Sequence, residues 1–259
     1  MSGLPPAADY GAIPFDLFAL GNWKYSLPPD DDERQWNNLV QKYLDLPERD
    51  RFPWHRWGGE VHPHPTPTTE NVTRVLRPHQ TPQERRISAH VSPPCYNFVW
   101  LRTCYDPELQ SQYDELLRAS GAEGDLAMGR EWVLDDATLY DFGSERSEIV
   151  TRIVRRIPSL CDTYWASVEE DYDYRVENES ADESELVRAS NRVRSGVCVA
   201  DEGAIKEQMV KIFWLGEHGQ CLWHNEVEPD MVEEMSGTFK GGYSLSEGVG
   251  TLFTEGERG

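Results

Sequence analysis

The sequence predicts an α/β fold (or α+β), a layered sandwich in which helices cover a mixed sheet. Two observations carry this prediction. Near the middle of the chain a short apolar run is followed at once by an amphipathic helix, and near the end a β-hairpin is followed by a helix. A strand that leads promptly into a helix favours an α/β layer arrangement, and a late hairpin adds antiparallel strands to the sheet.

The distribution of proline divides the 259 residues into two parts. Of 17 prolines, 14 precede residue 95, and proline removes a backbone donor and restricts its predecessor. We therefore expect residues 1–95 to be mostly loops, with one helix at about residues 30–46. The apolar stripe of this helix needs a surface to pack on. Residues 1–95 are thus predicted to be an arm wrapped on a core domain, residues 96–259.

The core domain is predicted to contain elements in the order β-α-β-α-loop-β-β-β-α. The strands are expected at 96–101, 131–134, 197–200, 209–215 and 220–224, and the helices at 106–121, 144–157 and 229–239. The loop at 169–185 carries nine carboxylates and one arginine, which is typical of a solvated segment. The last twenty residues, rich in glycine, are expected to be frayed.

This order of elements resembles a thioredoxin-like arrangement, because it opens on a strand–helix unit and closes on a hairpin and a helix. The resemblance is one of pattern and implies a protein with a single reactive thiol.

The charge excludes some partners. With 46 acidic and 25 basic residues the formal net charge is −21, so a broad surface for nucleic acid or anionic membrane is excluded by repulsion. Residues 1–9 lack a basic segment followed by an apolar run, and no stretch approaches about 20 apolar residues, so we expect neither a secretory leader nor a membrane span. Five scattered cysteines without a C-x-x-C pair argue against a disulfide scaffold or a zinc ribbon. We expect a cytoplasmic or nuclear protein.

Standard catalytic signatures are absent from the sequence. It contains no G-x-x-x-x-G-K-[ST], no G-x-G-x-x-G after a strand, no G-x-S-x-G and no H-E-x-x-H. Nucleotide-dependent enzymes, α/β-hydrolases and metalloproteases with those signatures are therefore disfavoured. Three weaker patterns are left as candidate sites.

The first candidate is a divalent metal site formed by His62 and His64, with Glu60 as a third ligand. Histidines two apart on an extended chain place both imidazoles on one face. Prolines at 63, 65 and 67 interrupt any regular strand, so a Pro-His loop that covers the core is the favoured interpretation.

The second candidate is Cys104, at the junction of the first strand and the first helix of the core. A helix N-terminus and nearby Arg102 lower the pKa of a thiol and make it a nucleophile, although Asp106 opposes this effect. The alternative is a half-buried cysteine that acts as a small apolar residue.

The third candidate is a group of acids at the predicted ends of strands. If the strands are parallel, these carboxylates share one rim and bind Mg²⁺ or move a proton. Each is explained equally well as a helix cap or turn former. The group comprises Asp106, Asp135, Asp136, Asp201 and Glu202.

Two arginine clusters break the acidic trend and suggest either ion pairs with the acidic loop or a site for a small anionic ligand. They are Arg74, Arg77, Arg85 and Arg86 in the arm, and Arg146, Arg152, Arg155 and Arg156 on the predicted long helix.

Three functional hypotheses follow. The first is an intracellular acidic interaction or regulatory protein with a protein partner, suggested by the missing catalytic signatures and the charge. The second is a small enzyme that uses Cys104, Asp201 and Glu202, or the His62/His64 metal site. The third is the thioredoxin-like single-thiol protein.

Overall fold

The computed structural model describes residues 10–11, 13–54, 67–91, 98–122, 133–162, 184–240 and 257–258. The described chain is mixed α/β, and a layered sandwich around a mixed sheet, as predicted, fits it. No helix among the described residues is long and apolar enough to cross a membrane.

One six-stranded sheet has the order β2-β1-β3-β4-β5-β6. β1 is parallel to both β2 and β3, whereas β3, β4, β5 and β6 are antiparallel to one another in turn. The strands are β1 (Val99–Arg102), β2 (Val133–Leu134), β3 (Ser195–Ala200), β4 (Val210–Leu215), β5 (Cys221–Val227) and β6 (Glu257–Arg258). β2 and β3 flank β1 on opposite sides. The chain passes from β1 to one side to form β2 and then crosses to the other side to form β3, so the strand order reverses between β1 and β3.

Helices are distributed before, between and after the strands. They are α1 (Pro14–Asn22), α2 (Asp32–Asp45), α3 (Glu48–Arg51), α4 (Thr69–Val75), α5 (Pro82–Val91), α6 (Gln110–Ala119), α7 (Ala137–Tyr140), α8 (Arg146–Arg156), α9 (Glu185–Arg192), α10 (Glu202–Glu207) and α11 (Met231–Lys240). Short 3₁₀ turns occur at Pro29–Asp31, Phe52–Trp54, Pro107–Leu109 and Pro158–Cys161.

Two hydrophobic clusters lie on the two faces of the sheet. Alternate residues of one strand point to opposite faces, so Val197 and Val199 of β3 join one cluster while Cys198 and Ala200 join the other. The first cluster includes residues of α1, α2, α4, α5 and α8, and the second includes residues of α6, α10 and α11. The sheet is therefore the middle of three layers.

The N-terminal segment contains more helix than its prolines suggest. The helix expected at about 30–46 is present as α2, but α1, α3, α4 and α5 were not expected, so the prediction of one helix in residues 1–95 is wrong. Pro14 and Pro82 each stand at the first helical position, where the missing N–H costs no hydrogen bond. In α1 the residues from Pro14 to Ala19 are all buried, so no 3.6-residue stripe marks this helix.

Contacts join the N-terminal segment to the rest of the chain. The indole of Trp36 donates a hydrogen bond to the carbonyl of Arg155 at 3.1 Å. The guanidinium of Arg51 donates to the carbonyls of Cys161, at 2.9 Å, and of Glu217, at 2.6 Å. The division of the chain at residue 95 stays a prediction.

In the second part of the chain the predicted elements agree with the structure, with four additions. α7, α10 and β6 were not expected, and Glu185, the last residue of the predicted acidic loop, begins α9. Residues 169–183 lie outside the described residues. So do most of the last twenty, although Glu257 and Arg258 pair with β5. The thioredoxin-like arrangement stays a prediction.

Candidate functional site

The main candidate site is a cleft at the carboxyl ends of the three parallel strands. It has a volume of about 380 Å³. The loops after β1, β2 and β3 each contribute to it. We call it the switch-point cleft, and its lining residues are Thr103, Cys104, Tyr105, Asp106, Asp141, Gly143, Ser144 and Glu202.

The position of this cleft follows from the strand order. Arg102 at the end of β1 is in register with Ala200 at the end of β3, and the amide of Thr103 donates to the carbonyl of Ala200 at 3.1 Å. The chain leaves β1 through α6 on one face and leaves β2 through α8 on the other face. In open α/β sheets, ligands bind in the crevice where the strand order reverses in this way.

Arg102 holds the loop that follows β1. It is 5% exposed, and its guanidinium lies between the rings of Tyr105 and Tyr113, 4.7 and 4.1 Å from their centroids. Its Nε donates to the carbonyl of Cys104 at 2.7 Å, and Nη1 donates to Gln110 at 2.9 Å. The phenol of Tyr105 donates to the Arg102 carbonyl at 2.9 Å. This network fixes the backbone on which Cys104 stands.

Cys104 lines the cleft and is partly exposed. The sequence suggested that Arg102 activates its thiol, but the hydrogen bond from Arg102 goes to the Cys104 carbonyl and its ion pair goes to Asp135, at 3.5 Å. Arg102 therefore acts as a support of the loop. The nucleophilic role of Cys104 stays a prediction.

Three carboxylates line the cleft: Asp106, Asp141 and Glu202. Asp106 caps the 3₁₀ turn before α6 by accepting from the Glu108 amide at 2.9 Å. Glu202 accepts from the Nζ of Lys206 at 2.5 Å. The pKa of the Lys206 ammonium is raised, mainly by Glu202 and less by Asp106 and Cys104, so each of these groups lies within electrostatic range of Lys206.

Asp201 directly follows β3, where the sequence placed it. It is 1% exposed and is not a lining residue of the cleft. One of its oxygens accepts from the Ala204 amide at 2.8 Å and the other accepts from the Nζ of Lys211, also at 2.8 Å. Asp201 thus caps the N-terminus of α10, as expected of an aspartate directly before a helix. Its second oxygen neutralises the Lys211 ammonium.

The other predicted acids are also engaged in local structure. Asp136 caps α7, accepting from the Thr138 amide and hydroxyl at 2.9 and 2.7 Å, and these bonds lower its pKa. Asp135 pairs with Arg102. The five acids therefore do not form one rim; of them, Asp106 and Glu202 line the cleft.

One buried side-chain polar atom of the cleft residues has no hydrogen-bond partner among the described residues. Thr103 is 1% exposed, and its hydroxyl oxygen has no hydrogen-bond partner among the described residues. A buried polar atom left unpaired costs about 1–3 kcal/mol. A ligand that reaches this hydroxyl would recover part of that free energy.

The predicted metal ligands His62, His64 and Glu60 lie outside the described residues. Within the described ranges, no group of three or more histidine, cysteine, aspartate or glutamate residues is placed to hold a metal ion. The acids of the switch-point cleft are therefore too dispersed to form such a site.

Four of the eight arginines in the two predicted clusters form ion pairs with nearby carboxylates among the described residues. The ion pairs are Arg74–Asp32 at 3.5 Å, Arg85–Asp16 at 2.7 Å, Arg152–Glu148 at 2.7 Å and Arg156–Glu84. Arg146 contacts Nδ1 of His224 at 2.6 Å. The four carboxylate partners lie on helices. Residues 169–183 of the acidic loop lie outside the described residues, so ion pairs between that loop and the clusters stay a prediction.

Five lining residues were not recognised as candidates from the sequence: Thr103, Tyr105, Asp141, Gly143 and Ser144. The last three follow α7, six or more residues beyond the end of β2, so counting from the strand end pointed to Asp135 and Asp136 instead. Gly143 has a φ of +73°, a conformation that glycine adopts without strain, which turns the loop toward α8. A glycine followed by a serine, at the predicted start of a helix, was the available signal.

Comparisons with known proteins give no match for this chain, whether with protein-family models, with curated proteins or with solved structures.

Proposed function

We propose that this protein binds a small organic ligand in the switch-point cleft. The observation that carries the proposal is the position of the cleft, where the loops after three parallel strands meet at the reversal of strand order. A volume of about 380 Å³ falls within the range of small-molecule sites. The Arg102 network supports the binding loop from behind, as pre-organised sites require.

The test is a thermal-shift screen with a panel of amines, guanidines, diols, sugars, carboxylates and nucleotides, followed by titration calorimetry. A bound ligand raises the unfolding temperature of the native state by mass action. The blocking variant is Ser144→Trp, which places an indole at an exposed lining position. The matched control is Ser26→Trp, at an exposed position away from the cleft.

We expect at least one ligand class to stabilise the wild type and Ser26→Trp but not Ser144→Trp. Equal stabilisation of both tryptophan variants would place binding elsewhere and contradict the proposal. The absence of any shift across the whole panel would contradict it as well.

An enzyme is the second candidate, because a thiol and a carboxylate, Cys104 and Glu202, line the same cleft. Thiols act as nucleophiles and carboxylates as general acids or bases. Asp201 would then support α10 rather than react. Once a ligand is identified, Cys104→Ser should leave its affinity unchanged and abolish its conversion; conversion at the wild-type rate would exclude Cys104 as the nucleophile.

An acidic interaction or regulatory protein, located in the cytoplasm or nucleus, is compatible with ligand binding. The net charge of −21 supports a partner with a basic surface. Binding of a basic peptide should then weaken steeply with salt and should change when the cleft ligand is present. The same peptide affinity with and without the ligand would show that peptide binding and ligand binding are independent of each other.

A further inference from the structure

We infer that the ligand of the switch-point cleft is a small organic cation, an amine or guanidine with more than one N–H donor. The inference rests on the proposed function and names the class of its ligand. It is carried by the charge of the lining, by the way the helix N-termini are filled and by the unpartnered hydroxyl of Thr103.

The lining is acidic. Asp106, Asp141 and Glu202 provide three carboxylates, and of these Glu202 forms an ion pair with Lys206. Arg102 lies behind the loop, paired with Asp135 and enclosed by two tyrosine rings. The charge at this site therefore attracts cations.

The backbone positions that normally bind anions are already occupied. Free amides at helix N-termini bind phosphates and carboxylates. Here the carboxylate of Asp106 accepts from the Glu108 amide, and that of Asp201 accepts from the Ala204 amide. A phosphate or carboxylate ligand would have to displace these side chains and approach like charges.

The shape of the site favours an organic cation over a metal ion. Within the described residues, no three acidic, cysteine or histidine side chains converge on one point. A ligand with nitrogen donors at two ends can contact carboxylates that stand apart. Thr103, which is 1% exposed and lines the cleft, offers an unpartnered hydroxyl oxygen that accepts a further N–H.

The experiment uses three probes of equal chain length and different charge: 1,4-diaminobutane, 1,4-butanediol and succinate. The readout is protection of Cys104 from iodoacetamide, followed by peptide mass spectrometry, because Cys104 lies in the cleft. Calorimetry on the full chain gives the affinities. We expect the diamine to protect Cys104 and to bind, with weaker binding at higher salt, and the diol and succinate to do neither.

Two substitutions locate the interaction. Asp141→Asn removes one lining carboxylate and should weaken diamine binding about two- to fivefold, as expected of a solvent-exposed charge pair. Thr103→Val removes the unpartnered hydroxyl and should also weaken it. The control Asp30→Asn, at an exposed position in the N-terminal segment, should leave the affinity unchanged.

Equal or better protection by succinate or the diol would overturn the cationic assignment and leave the cleft as a ligand site. An affinity for the diamine that is unchanged in Asp141→Asn would also overturn it. Failure of the proposed function has a different signature, namely that no ligand of the screening panel distinguishes Ser144→Trp from Ser26→Trp.

Discussion

Charged residues are buried in pairs on the sheet face that carries the N-terminal helices, whereas at the switch-point cleft the carboxylates face solvent. In the pair Asp16–Arg85 both side chains are fully buried, and in Arg51–Asp162 both are 1% exposed. At the cleft, by contrast, the Glu202 side chain is 58% exposed.

The buried pairs are surrounded by further hydrogen bonds. Arg51 donates to four backbone carbonyls, those of Leu44, Leu46, Cys161 and Glu217, and lies 5.0 Å from the ring centre of Tyr43. Glu84, fully buried, accepts from the Thr81 amide, the Tyr140 phenol and Arg156. Such groups are committed to the fold, because a buried charge without a partner is costly.

The difference separates charges that hold the architecture from charges that can meet a ligand. Substitutions in the first set should lower stability, and substitutions in the second should leave stability nearly unchanged. The following predictions test this separation, beginning with the largest expected effect on stability.

Removing the buried guanidinium should have the largest effect. Arg51→Ala removes the cationic partner of the buried Asp162 carboxylate and one donor to each of four backbone carbonyls, and should lower the free energy of unfolding by about 3–5 kcal/mol in urea denaturation. The matched control is Arg49→Ala, whose side chain is 84% exposed. A loss of similar size in both variants would remove the distinction between buried and exposed charges.

Neutralising Glu84 should have the next largest effect. Glu84→Gln keeps the shape but deprives Arg156 of its charged partner, and should cost about 1.5–3 kcal/mol. Glu148→Gln, which breaks the exposed pair with Arg152 on α8, should cost about 0.3–0.5 kcal/mol. Equal costs measured by urea denaturation would contradict the prediction.

His79 should add a smaller, pH-dependent contribution. Its ring stacks on Trp36 with centroids 4.5 Å apart, and burial lowers its pKa below the ordinary value of 6.5. The unfolded chain therefore binds more protons in the window just below 6.5, so stability decreases as the pH falls through that window.

The measurement compares the unfolding midpoint of the wild type and of His79→Phe at about pH 7.5 and about pH 5. The variant keeps an aromatic ring but does not titrate, so it should lose less stability on acidification. An equal loss of stability in both proteins would show that protonation of His79 does not contribute to the pH dependence of folding, and would contradict the prediction.

Modification of Cys104 should have the smallest effect on stability. Iodoacetamide should react with this partly exposed thiol in the native state, and the cleft should accommodate the added group. Cys198 and Cys161 should react only after unfolding, because burial raises the pKa of Cys198 well above its ordinary value and that of Cys161 to about 12. Peptide mass spectrometry identifies which cysteines react first, and modification of Cys198 or Cys161 before Cys104 would contradict the prediction. An unchanged urea midpoint after modification of Cys104 would confirm the small effect on stability.

Local patterns predicted much of the fold. The apolar spacing in α2, α6 and α8 and the glycine-containing turn between β4 and β5 each depend on residues close in sequence. α1 escaped prediction because it is buried along most of its length, and α10 because six residues are too few to show a period. Cys104 and Glu202 were recognised as candidates because they follow predicted strands directly.

The sequence by itself determined the alternation of strands and helices, the hairpin near the end and the helix caps, since these depend on the propensities and hydrogen bonds of neighbouring residues. Tertiary structure alone decided that β3 lies beside β1. That long-range pairing brings the loops after three strands together, places Asp141 and Ser144 in the cleft with Cys104, and turns Asp201 inward to Lys211. No local sequence pattern encodes the pairing of β1 with β3, because this pairing depends on burying both faces of the sheet at the same time.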